Sequence, residues 1–409
     1  MDEISRYAVG LDVGTENVRA VVATVSKDGK LTVVGYNEGK NSGMRKGVVA
    51  NLMGPAQSID KTLGEVERMS GIEINSAVVS INGAQILTTR VNGMIAVGMM
   101  DHEITNDDLD RVEQVAVAGR VPANRDILDL IPLSYSLDEQ SGMKNPVGMT
   151  GSRLELTASV ISALSPNCDN LKKATEAAKV EPIRLVPSAV AAARAVLDEK
   201  QLENGVAVVD MGATTTSVAI FEEGDLQYVG VVPAGSNNVT NDLAIVLEIN
   251  TDVAEEIKRR YVTGTFMETK DAVVKVGREE FTFERAKIDE VVEARLEEIF
   301  EKVRKEIKKA GFDQRLPEGI ILTGGGAKMR DIRIFAKKIL GAAVKIGIPR
   351  EISGTFDAVR KPEYAAAVGL MLFASEEGNI PIKTKKQTKP SQSPKENKLG
   401  FIKKFLDKF

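Results

Sequence analysis

Val9-Gly10-Leu11-Asp12-Val13-Gly14-Thr15 and Ala207-Val208-Val209-Asp210-Met211-Gly212-Ala213 are two versions of one device, an apolar strand that ends in Asp-x-Gly at a tight turn. The first copy turns through Gly14-Thr15-Glu16-Asn17 into a strand over 18–24, with a third strand over 31–36. The second turns through 210–214 into a strand over 216–221, with a third over 226–232. Asp12 and Asp210 stand 198 positions apart, so an internal duplication is the simplest account. Glycine at such a turn lets backbone amides approach a phosphate with no Cβ in the way. Asp12 and Asp210, at the strand ends, suit the water shell of Mg²⁺, which takes one or two carboxylates and keeps several waters.

A second glycine-rich segment, Ile320-Ile321-Leu322-Thr323-Gly324-Gly325-Gly326-Ala327, reads as a strand running into a helix N-terminus. Three glycines there permit close approach of a base, a ribose or an α-phosphate. The competing way to hold ATP, Gly-x4-Gly-Lys-Ser/Thr, occurs nowhere in the chain. Between the two segments, Glu255 and Lys258 stand one helical turn apart on a helix predicted over 253–261.

The rest of the chain supports an α/β reading. There is no Trp and only 4% of residues are aromatic, so Val, Ile, Leu and Ala must build the core, as in buried parallel strands. Further helices are predicted over 55–70, 107–118 (capped by Thr105 or Asn106), 166–179, 188–197, 238–247, 283–310 and 363–373. Residues 82–160 break the pattern with an acidic helix, extra strands and a long turn over 142–153, and read as a small α+β insertion. The single Cys168 excludes a disulfide framework and is read as an inert core residue. The lone His102 cannot build a histidine metal site and is placed on the surface. Residues 1–3 lack the basic and apolar regions of a secretory leader, and no apolar run approaches ~18 residues, so neither export nor a membrane span is expected.

Asp-x-Gly hairpin, Pro-x-Ala-x-Ala-Ala helix (187–192), second Asp-x-Gly hairpin, Gly-Gly-Gly and Ala-Ala-Ala-x-Gly (365–369) follow the order of the actin-like ATPases. More specifically, the chain resembles FtsA, a family of bacterial cell-division proteins. Its particular marks are Gly47-Val48-Val49, Glu67-Arg68-Met69-Ser70-Gly71, Lys144-Asn145-Pro146-Val147-Gly148-Met149, Val239-Thr240-Asn241-Asp242 and Ile346-Gly347-Ile348-Pro349. The resemblance implies two ribonuclease-H-like halves around a nucleotide cleft. It also implies an SHS2-type inserted subdomain, 1C, in place of actin's 1B. The implied divisions are 1–81, 162–197 and 351–375 for subdomain 1A and 82–161 for 1C. Residues 198–235 and 315–350 form 2A, 236–314 form 2B, 376–397 a linker, and 398–409 an anchor. ATP with Mg²⁺ is the implied cofactor. Asp12, Gly14, Thr15, Glu16 and Asn17 take the first phosphate site, and Asp210, Gly212, Ala213, Thr214, Thr215 and Thr216 the second. Gly324, Gly325 and Gly326 take the adenosine, and Glu255 and Lys258 the ribose and base. Two departures bear on activity. Ala213 and Thr214 stand where many relatives have glycine, and Val186 stands where relatives carry a Glu or Gln that orients water. Both point to weak or absent ATP hydrolysis and no confident catalytic residue.

The last segment adds a second function. Residues 380–409 carry nine Lys against Glu396 and Asp407, a balance of +7, which leaves −11 on the body. Leu399, Ile402, Phe405, Leu406 and Phe409, with Phe401 beside them, fall on one helical side, opposite Lys398, Lys403, Lys404 and Lys408. That is the composition of an interfacial helix on anionic lipid, carried here by a Pro-, Ser- and Lys-rich linker. The family implies, as partners, the FtsZ tail on subdomain 2B, further copies of the chain in filaments, anionic lipids and downstream division proteins. It implies no nucleic acid, and a peripheral place on the cytoplasmic face of the membrane at the division site. A pilus-assembly protein of the PilM type and a small-molecule kinase of the same fold are the alternatives; neither accounts for the tail.

Overall fold

The computed structural model describes residues 4–98, 103–266, 270–276, 279–350, 352–354 and 356–377. His102, residues 378–397 and the tail over 398–409 lie outside the described residues, while Glu376, placed at the start of the linker, ends the helix Ala365–Glu376.

The two Asp-x-Gly devices are hairpins at equivalent places in two sheets of equivalent order. In the first, Ile4–Val13 pairs antiparallel with Asn17–Ser26, which pairs with Leu31–Lys40. On its other side Ile4–Val13 pairs parallel with Ser76–Ile81, which pairs with Glu181–Pro187. In the second, Val206–Met211 pairs antiparallel with Thr216–Glu222, then Asp225–Val232 follows. On the parallel side lie Ile320–Thr323 and Val344–Ile346. Even the turns close alike, for Gly14 N donates to the Asn17 carbonyl at 3.1 Å and Gly212 N to that of Thr215 at 2.9 Å.

Both hairpin strands are apolar along their length because each sheet is covered on both faces. Leu11, Val21, Val22, Ala207, Val208 and Val209 have no solvent exposure. One cover is a pair of alanine-rich helices, Ser188–Val196 and Ala365–Glu376, crossing between the halves. They pack backbone to backbone: a Cβ on Gly369 would stand 1.6 Å from the Ala191 carbonyl oxygen, and one on Gly10 2.2 Å from that of Ala367. Cys168 is fully buried in the same core.

The insertion is a four-stranded antiparallel sheet, in the order Leu87–Ala96, Arg153–Leu164, Arg125–Leu137, Gln140–Met143, with its own core. Helix Asn106–Val117 lies on it, and Thr105 is the cap, its hydroxyl and backbone exchanging bonds with Asp108. The long turn read over 142–153 is shorter than that, because Gly142 and Met143 belong to the strand Gln140–Met143. The sheet reaches the second half: Thr88 Oγ1 donates to the Val229 carbonyl at 2.8 Å, and Lys144 Nζ meets Asp225 at 2.5 Å.

Helix Arg285–Lys309 buries Ile288, Val292, Leu296, Ile299, Phe300, Val303 and Ile307, with Val291 at the margin. No described helix is long and apolar enough to cross a membrane.

Candidate functional site

The two hairpin turns face each other across a cleft of about 530 Å³, the size of a small-molecule site. Asp12, Gly14, Thr15, Glu16 and Asn17 line one wall; Asp210, Gly212, Ala213 and Thr215 line the other. Glu255 and Lys258 on helix Thr251–Tyr261, and Gly324, Gly325 and Gly326, complete it. The duplication is what brings these segments together, since each half presents its turn at the same edge of its sheet.

Thr214 does not line the cleft. Its hydroxyl donates to Thr15 Oγ1 at 2.8 Å and ties one turn to the other, while Thr15 Oγ1 also accepts from Gly47 N at 3.1 Å. Thr216 is fully buried and donates to the Ala234 carbonyl, away from the cleft. Of the three threonines, only Thr215 lines the cleft.

The aspartates carry the electrostatics. Asp12 is almost fully buried, and burial pushes its carboxyl above the ordinary range against the pull of Arg19 and the Ser80 hydroxyl. Asp210 is pushed from 3.8 to about 6, by burial first and then by the charge of Asp12, with a Ser188 hydrogen bond opposing. The charge of Asp12 thus raises the cost of ionising Asp210, an arrangement that a cation between such groups would relieve. Among the described residues no cluster of three or more His, Cys, Asp or Glu stands ready to hold a metal. Two carboxylates are a donor set compatible with a cation that keeps most of its waters, as Mg²⁺ does.

Gly324 sits at φ +84, and a Cβ there would meet Asp210 Oδ1 at 2.3 Å. Beyond the Cβ position of Gly325 nothing lies within 4 Å, so the loop has room on its open side. The segment continues as the 3₁₀ turn Gly325–Lys328 where a helix was predicted. Lys258 is buried, bonding Thr240 Oγ1 at 2.8 Å and Glu255 at 2.6 Å. Burial opposes ionisation of Glu255, but the Lys258 and Thr240 bonds hold its carboxyl below the ordinary value. Glu16 is held low in the same way, chiefly by its bond to Lys40 and then by the Asn237 side chain of the opposite half.

Sequence reading missed Asn82, Ser188, Lys328 and Glu363, which also line the cleft. Ser188 Oγ donates to Asn82 Oδ1 at 2.6 Å and so connects the ends of two segments far apart in the chain. Ser188 begins one alanine-rich helix and Glu363 lies in the 3₁₀ turn just before the other, and only topology brings those two places into the cleft. Val186 is 2% exposed and packs in the first half's core.

A family model described as Cell division protein FtsA matches residues 207–369, and one described as SHS2 domain inserted in FTSA matches 83–162. Among solved structures, a PilM-PilN type IV pilus biogenesis complex aligns with TM-score 0.67 at 18% identity, covering 90% of this chain and 98% of that one. MreB5 of Spiroplasma citri bound to ADP aligns with TM-score 0.54 at 14% identity, covering 90% and 96%. Identities this low show the fold alone, and that fold is the actin-like ATPase fold with an SHS2 insertion. Cell division protein FtsA of Pseudomonas aeruginosa is 34% identical over 98% of this chain and 97% of its own length. That of Escherichia coli (strain K12) is 31% identical over 91% of each, and that of Bacillus subtilis (strain 168) 33% identical over 91% and 84%. With such identity sustained from end to end, the chain belongs to the FtsA family of cell division proteins.

Proposed function

We propose that the chain binds Mg²⁺·ATP in the cleft and assembles on the inner face of the cytoplasmic membrane as an actin-like polymer. There it holds the FtsZ ring through subdomain 2B and the membrane through residues 398–409. The observation that supports nucleotide binding best is the pairing of Asp12 with Asp210 beside two glycine turns and the Gly324 loop. In this reading the aspartates hold the water shell of the cation, the turns receive the phosphates, and Glu255 and Lys258 face the nucleoside. The subdomain divisions given above are part of the same proposal. With Val186 packed in the core, no side chain at that position orients water, so ATP serves chiefly as an assembly ligand. Phosphate release at several turnovers per minute would overturn that part.

The cation role makes a prediction with two signs. Asp210→Asn removes a like charge from beside Asp12, so the ligand-free protein gains on the order of 1 kcal/mol in urea unfolding at neutral pH. The same change lowers Mg²⁺·ATP affinity roughly tenfold or more, read by titration with a fluorescent ATP analogue. A loss in both measurements would mean that Asp210 is structural.

The tail is tested by flotation. A twelve-residue helix is marginal in water and orders on the bilayer, and each Lys adds roughly 1 kcal/mol on anionic lipid. One copy binds weakly; an assembled row of copies holds firmly by avidity. Deleting 398–409 is expected to leave ATP binding intact and to abolish flotation with vesicles containing phosphatidylglycerol. Unchanged flotation would sink the anchor. The PilM-like reading has only a likeness of fold behind it, since the similarity is 18%.

A further inference from the structure

Glu363 is a carboxylate with one hand occupied. It lies in the 3₁₀ turn Pro362–Tyr364, just ahead of the helix that closes the chain's first half. It lines the cleft beside the glycine loop and is 7% exposed. Its Oε1 pairs with Lys328 Nζ at 2.7 Å. Its Oε2 is buried and has no hydrogen-bond partner. The turn itself is pinned: Gly324 N donates to the Pro362 carbonyl at 3.1 Å, and Thr323 Oγ1 to the same oxygen at 3.0 Å. The side chain therefore has a fixed base and a fixed ion pair, and neither uses the second oxygen.

An ionised oxygen buried without a donor costs stability, so a donor is expected to come from what the cleft holds. Phosphates carry only acceptors and negative charge and are repelled from this position. A nucleotide's neutral donors are its ribose hydroxyls and the exocyclic amine of adenine. We propose that Glu363 is a specificity-determining residue whose Oε2 accepts a hydrogen bond from the nucleoside part of the bound nucleotide. This rests on the nucleotide reading above and adds a site that selects for a donor-bearing nucleoside. A site built to bond a hydroxyl or amine rejects an analogue that lacks it, because the protein's own group is then left buried and unpaired.

The test measures the affinity of the full chain for ATP, 2′-deoxy-ATP, 3′-deoxy-ATP and the purine riboside triphosphate without the amine, by competition against a fluorescent ATP analogue. In the unaltered protein one of the three analogues is expected to bind roughly tenfold or more weakly than ATP, which identifies the donor. In Glu363→Ala that preference disappears, with ATP falling to the level of the analogue. In Lys328→Ala, which leaves Oε2 in place, the preference persists. Equal binding of all four by the unaltered protein would overturn the proposal without needing a variant. So would a preference that survives in Glu363→Ala, or one lost equally in Lys328→Ala, which would make Glu363 only a support for that lysine. If Glu363→Ala does not fold, Glu363→Gln serves, and its preference is expected to shrink. Failure of the unaltered protein to bind ATP at all would instead overturn the nucleotide reading.

Discussion

Gly324→Ala is expected to lower Mg²⁺·ATP affinity roughly a hundredfold while the chain still folds. Two independent penalties meet at this position. Gly324 has φ +84, a region that L side chains enter at a cost of about 1–3 kcal/mol. The added Cβ would also lie 2.3 Å from Asp210 Oδ1, 2.7 Å from the Met211 carbonyl oxygen and 2.9 Å from Met211 N. Two of those atoms are backbone at the end of strand Val206–Met211, held by its pairing with Thr216, and yield little, so the carboxylate moves. The cation then loses one of the two groups proposed to face it. Gly325→Ala separates ligand from fold, because its Cβ meets nothing within 4 Å and its φ is not positive. Its urea midpoint should stay level with the unaltered protein, while titration with fluorescent ATP shows a weaker complex if the nucleotide occupies that open side. Unchanged affinity in Gly324→Ala would remove the glycine loop from the proposed site.

The duplication was legible because its signal is local. Asp-x-Gly at the end of an apolar run states both the strand and the turn, and two such runs state two halves. The insertion showed itself as a break in that pattern. What was not legible depends on where segments land. The strand Glu181–Pro187 went unread because Pro182 and Pro187 argue against a strand. It is admissible because that strand is the edge of its sheet, where a missing N–H disrupts no ladder. Thr214 and Thr215 are neighbours in a motif that gives them the same role. A difference in side-chain direction sends one to Thr15 and the other to the cleft. Glu363 has no motif of its own, since a Glu before an alanine-rich run reads as an ordinary helix start.

The second large effect concerns the crossing of the two alanine helices and is tested by one substitution at two places. Gly369 lies in helix Ala365–Glu376 and Gly64 in helix Met53–Ser70. By propensity alone, Gly→Ala within a helix gains about 1 kcal/mol, so both changes would stabilise. At Gly64 nothing lies within 4 Å of the new Cβ, and the full gain of about 1 kcal/mol is expected. At Gly369 the Cβ would stand 1.6 Å from the Ala191 carbonyl oxygen and 2.4 Å from its carbon. That obstacle is the backbone of the facing helix, which no rotamer relieves, so the helices must separate. Overpacking of this kind costs about 3 kcal/mol, which outweighs the propensity gain and leaves a net loss of about 2 kcal/mol in urea unfolding. The separation also reaches the cleft, because Ser188 starts one of the two helices and Glu363 stands just before the other. Gly369→Ala should therefore bind ATP more weakly as well as unfold earlier, while Gly64→Ala keeps its affinity and gains stability. Equal shifts in the two variants would mean that the close crossing of these helices does not set the distance between the halves.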